Sequence, residues 1–137
     1  MAQLYRDIQL GTVWEGSGNV IALDVLRALE REPHSAEAFL AECELAAGAD
    51  ERYDAHLRSL RRRMLEAPAE RAATEWGARR LVEDMALALQ GSLLLRHSPD
   101  AVSSAFCAGR LDDRGLAFGD LPRSVDGPAI LARALAI

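Results

Sequence analysis

Glu15 has the best claim to chemistry in this chain. It stands in Trp14-Glu15-Gly16-Ser17-Gly18-Asn19, between an apolar stretch and a segment patterned as an amphipathic helix. A base that removes a proton next to a carbonyl needs a carboxylate, a partly dry site and tight positioning. Gly16 would let a thioester or amide approach the backbone with no side chain in the way. Ser17, Gly18 and Asn19 would offer a hydroxyl, peptide N–H groups and an amide at a helix N-terminus, where partial positive charge suits a phosphate. By pattern alone, an ordinary Glu-Gly turn capped by Ser or Asn is the commoner outcome. The residues themselves leave both readings open.

The other reactive side chains are scattered. Cys43 and Cys107 are far apart in sequence and stand away from the histidines, so they read as reduced core thiols, not a disulfide or a zinc site. His34, His56 and His97 have no metal-ligand spacing, and no metal is expected. Cys107 has no base partner or electropositive setting in sequence that would make it a nucleophile.

Helices must position these groups. After the Gly-Ser-Gly turn, Val20, Leu23, Leu26 and Leu29 recur at helical spacing up to about Arg31, ahead of Pro33. A second helix is expected from Ser35 as cap, carrying Phe39, Cys43 and Ala46 and stopping at Gly48. Asp50 caps a third, with Tyr53, Leu57, Leu60 and Met64 in one stripe. Pro68 opens a fourth, longer helix, whose core face is read as Trp76, Val82, Met85, Leu89 and Leu93. Ser98-Pro99 begins a short helix through Ala101, Ala105 and Phe106. From about residue 110 glycines and prolines break the pattern, and Ile130 to Ile137 forms a terminal helix or docks on a partner. The expectation is an all-α, up-and-down bundle of about four to five helices, residues 1–137 as one domain with an irregular C-terminal tail.

Composition agrees. Half the residues are hydrophobic, only 5% are aromatic, and every basic residue other than histidine is arginine. An extensive sheet is not expected. The net charge of -5 speaks against a dedicated nucleic-acid binder. Arg58, Arg61, Arg62 and Arg63, with Arg79 and Arg80, form local basic clusters, read as a solvated face balanced by Glu66, Glu70, Glu75 and Glu83. No signal segment or bilayer-length apolar run is present in the sequence, so a soluble cytoplasmic chain is expected.

The stretch Leu4-Tyr5-Arg6-Asp7, followed by Val13-Trp14-Glu15-Gly16-Ser17, resembles the acyl-CoA dehydrogenase signature of Arg-Asp and an aromatic-Glu-Gly-Thr turn. Trp-Glu-Gly-Ser-Gly-Asn, with Leu23-Asp24-Val25-Leu26-Arg27 after it, looks most like the AidB-like alkylation-response branch. The close match ends near residue 30; beyond it only the helical layout is similar.

The resemblance implies the C-terminal helical domain of an FAD-dependent enzyme that oxidises the Cα–Cβ bond of an acyl-CoA. In that setting Glu15 matches the catalytic base and Gly16 a position beside the substrate thioester. Ser17, Gly18 and Asn19 match the turn that contacts the FAD diphosphate-adenosine portion. Ser17 stands where threonine is more usual and keeps the hydroxyl. Some members of the family place their base elsewhere.

The family's N-terminal helical and middle β-domains, and the glycine-rich flavin-contacting stretch ahead of the signature, are not in these residues. The chain alone is therefore expected to be a detached domain that binds no flavin and is inactive. The surface left bare favours a homo-oligomer. Two alternatives remain: an AidB-like DNA-binding module, disfavoured by the acidic balance, and a purely structural oligomerisation bundle.

Overall fold

The computed structural model describes residues 6–8, 18–65, 71–112, 121–122 and 124–135. Its principal elements are α1 (Gly18–Arg31), α2 (Pro33–Glu44), α3 (Glu51–Leu65), α4 (Arg71–His97), α5 (Asp100–Cys107), a π-helical turn (Ala108–Asp112) and α6 (Gly127–Leu135). The fold is all-α, as the periodicity predicts, and no strand occurs among the described residues. α4 is the hub: α1, α2, α3 and α5 all pack against it.

The helix boundaries follow local chemistry. Asp50 caps α3, accepting from the backbone N–H groups of Arg52 at 2.9 Å and Tyr53 at 3.3 Å. Gly48, at φ +83°, closes the turn after α2 in a conformation that an L side chain rarely adopts, and its N–H donates to Asp54 Oδ1 at 3.0 Å. Ser35 is not a cap: α2 begins at Pro33, whose missing N–H suits the first turn, and the Ser35 hydroxyl donates to the Glu32 carbonyl at 2.7 Å. Residue 68 lies outside the described residues. The expected irregular tail contains the π-helical turn and α6.

The main core joins α2, α3, α4 and α5 through Leu40, Cys43, Tyr53, Leu57, Leu60, Ala88 and Cys107. Tyr53 is fully buried, and its hydroxyl donates to the Cys43 carbonyl at 2.8 Å, so its one polar atom is satisfied. The Tyr53 ring lies where a Cβ on Gly91 would fall, 2.9 Å away. A glycine costs about 1 kcal/mol inside a helix. Here it is what lets α3 approach α4.

α4 turns a different face inward from the one its large residues suggest. Its buried positions include Ala78, Leu87, Ala88 and Ser92. Trp76, read from sequence as core, is 94% exposed, and Leu93 is exposed too, although Met85 and Leu89 do pack on the core. Close helix approach selects small side chains at the contact, and the bulky ones are left outside.

Candidate functional site

Glu15, Gly16 and Ser17 lie outside the described residues. Gly18 and Asn19 form the first turn of α1, and the structure sets them beside α4. α1 is anchored by Ala22 and Leu26, both buried with Ala78 of α4, while Leu23, Leu81 and Val82 pack around them. This contact fixes where the helix start points.

Arg79 of α4 sits at that start. Its Nη1 donates to Asn19 Oδ1 at 3.4 Å, and its Nη2 lies 3.8 Å from where a Gly18 Cβ would be. The first turn of α1 contains no acidic residue. A guanidinium next to the positive end of a helix dipole, with no carboxylate in that turn, is a pairing of like signs that an anion would relieve. Sequence reasoning singled out Gly18 and Asn19, and named Arg79, 60 residues away in the chain, only as part of a basic cluster with no link to them. No motif carries that juxtaposition; it comes from α1 packing on α4.

A second polar constellation was also missed. Asp84, 1% exposed, faces Arg63 Nη1 of α3 at 2.5 Å and Arg80 Nε at 3.4 Å. The buried His56 ring donates from Nε2 to the Asp84 carbonyl at 3.0 Å. The legible signal was the Arg80-to-Asp84 step of four among apolar residues, which puts a charge on a buried side of α4. This cluster joins α3 to α4 and is structural.

It also breaks up the presumed basic face. Arg61 pairs with Glu44 on α2, Arg63 turns to Asp84, and Arg79 to Asn19. Arg58 and Arg62 remain on the exposed side of α3. Consecutive arginines thus point to three sides of one helix, and do not make the continuous basic strip a polyanion needs.

The cysteines are inert where the sequence placed them. Both are fully buried, and burial raises the Cys43 thiol above its ordinary range and pushes Cys107 up to about 11. No group of three or more His, Cys, Asp and Glu side chains able to hold a metal occurs among the described residues. No described helix is long and apolar enough to cross a membrane.

No protein-family model and no solved structure matches the chain. It is similar to a curated protein, "Putative acyl-CoA dehydrogenase AidB" of Escherichia coli (strain K12), with 31% identity over 119 residues. That stretch is 84% of this chain and 20% of that protein, so the chain spans about a fifth of the length of the relative it matches.

Proposed function

From this likeness to an AidB-like acyl-CoA dehydrogenase, which extends the signature resemblance over most of the chain, we propose that the chain is the helical domain of such a protein. It supplies one wall of an acyl-CoA and FAD site together with a self-association surface. The observation that carries this is the start of α1. Gly18 and Asn19 lie within reach of the Arg79 guanidinium, in the turn that the signature assigns to the FAD diphosphate.

These residues fit that group. A side-chain-free first position, helix N–H groups and a guanidinium together neutralise a diphosphate without steric conflict. When bound, FAD supplies the hydride acceptor. The chain's own work is to hold and move a proton. Glu15, three residues ahead of α1 in sequence, would take the α-proton of the thioester, and Gly16, with no side chain, would let the thioester approach the backbone. Ser17 offers a hydroxyl, and Arg79 fixes the Asn19 amide. The remaining walls of the site come from domains of the kind that the longer relative has room for.

The test uses the chain alone and the chain completed by flavin-binding domains, in one polypeptide or as a complementing one. Alone it should carry no flavin absorbance. Completed, it should be yellow, and Glu15→Gln should slow acyl-CoA-dependent flavin bleaching by about a hundredfold or more while keeping the flavin. Arg79→Gln should instead lower flavin content. An unchanged bleaching rate in Glu15→Gln would remove the proposed base.

A further inference from the structure

Within about one turn of α4, three residues give up stability with no return from packing. Trp76 stands 94% exposed, although tryptophan is among the side chains that gain most from burial. Gly77 beside it weakens the helix as an interior glycine does, and a Cβ there would meet nothing within 4 Å. Gly91, by contrast, makes room for the Tyr53 ring. Arg79 then brings its guanidinium to the positive end of α1, where the first turn holds no acidic residue. Residues that break local rules together, uncompensated by the fold, mark a place kept for something else.

Their arrangement suits a nucleotide. Residues three apart on a helix stand side by side, with about 5–6 Å between Cβ atoms, so the Trp76 indole and the Arg79 side chain leave α4 as neighbours. Gly77 puts no side chain on the indole's other flank. Arg79 Nη1 donates to Asn19 Oδ1 at 3.4 Å, which leaves the NH2 end of that amide to donate to a ligand oxygen. A planar guanidinium beside helix N–H groups suits phosphate oxygens, and a bare indole suits a flat base.

We propose that Trp76 stacks on the adenine of the FAD whose diphosphate lies at the start of α1, so that this chain alone holds the adenosine-diphosphate half of the cofactor and selects FAD over FMN. FMN has one phosphate and no adenine, and it would leave the indole unused. This inference rests on the flavin reading and adds to it the residue that reads the base. Stacking on an aromatic ring strengthens binding of a base by roughly ten- to a hundredfold. It reads the ring face alone, so the chain should take GDP about as well as ADP.

Equilibrium dialysis of the chain alone against ADP and against inorganic pyrophosphate separates the base from the diphosphate. The wild type should bind ADP roughly tenfold or more tightly than pyrophosphate. Trp76→Leu should bring ADP down to the level of pyrophosphate and leave pyrophosphate unchanged, at an unaltered melting temperature because the side chain is exposed. Trp76→Phe, which keeps a ring, should retain most of the ADP affinity, and Arg79→Gln should weaken both ligands. In Trp14→Phe the indole of Trp76 is the one that remains, and ADP should quench its emission to saturation. In the completed protein, Trp76→Leu should shift the bound flavin from FAD towards FMN, read by chromatography of the released cofactor. If the wild type binds ADP and pyrophosphate equally, or Trp76→Leu binds ADP like the wild type, Trp76 reads no base; that overturns this inference and leaves the diphosphate at α1 standing. If neither ligand binds at millimolar concentration, the inference falls as a whole, and the flavin reading is judged separately by the flavin content of the completed protein.

Discussion

The two sides of α4 are built on different scales. On one side α2, α3 and α5 converge on a core that holds a fully buried tyrosine, leucine and two cysteines. Polar clamps reinforce it: Glu42 with Arg96, Asp84 with Arg63, and Asp50 with Arg52, which also donates to Ser104 at 3.3 Å. On the other side α1 is held by Ala22, Leu26 and Ala78, with a long hydrogen bond from Arg79 to Asn19 at its start. The candidate chemistry lies on the side with the smaller buried cluster. A site shared with other domains gains from a rigid platform and a helix start that can adjust, so stability and proposed function sit in different places.

The sharpest way to break this contrast is to truncate one leucine on each side. Leu60→Ala empties a fully buried position and should cost about 4 kcal/mol; Leu26→Ala, at the edge of the smaller cluster, should cost about 2 kcal/mol. Urea unfolding monitored by far-UV circular dichroism measures both. Equal losses would mean that α1 is as firmly built in as the rest.

Next in size is Asp84→Asn, which keeps the shape of the buried side chain and removes the charge facing Arg63 and Arg80. Because both arginines are partly exposed and can rehydrate, the loss should be about 2 kcal/mol, below that for a fully buried pair. A neutral outcome would show that the clamp adds nothing to the heavily built side.

Within α4 itself, two glycines should respond in opposite directions. A Cβ at Gly91 meets the Tyr53 ring at 2.9 Å, and one at Gly77 meets nothing within 4 Å. Gly91→Ala should therefore destabilise by about 1–2 kcal/mol, while Gly77→Ala stabilises by about 0.5–1 kcal/mol through helix propensity. If both variants gained stability, close approach to Tyr53 would not be what fixes α3 on α4.

That pair also shows where the sequence stopped being readable. Leucine and aromatic periodicity located the described helices, and Asp50 was legible as a cap because its role is local. The inward face of α4 was not legible, since Ala78, Ala88, Gly91 and Ser92 carry no hydrophobic signal and matter only for how near a neighbour can come. The large residues Trp76 and Leu93 drew the face outward by mistake. Asp84 was hidden for the converse reason: a charge reads as solvated until a partner from another helix covers it. At the candidate site, the signature singled out Gly18 and Asn19, and it gave no sign that Arg79 stands beside them, because only the packing of α1 on α4 brings it there.

Acid should narrow the difference between the two sides. The Asp50 carboxyl is held below its ordinary value of 3.8, first by the Arg52 side chain, with the Tyr53 and Arg52 backbone N–H groups adding to it against the opposing effect of burial. A carboxylate whose folded pKa is depressed gives stability that is fully present above its unfolded pKa and is lost as pH falls through the folded one. The window therefore opens below about pH 4, and the loss from this cap should reach about 1 kcal/mol. In α1, by contrast, the carboxylate of Asp24 is exposed and pairs with the neighbouring Arg27, and an exposed pair of this kind adds little stability. Hydrogen exchange at neutral pH should then show α1 opening first and α3 much later. Exchange extended below pH 4 should bring α3 towards α1, and Asp50→Asn should bring the two together at neutral pH by the same amount. If acid instead released α1 and left α3 protected, the Asp50 clamp would not be what separates the two sides.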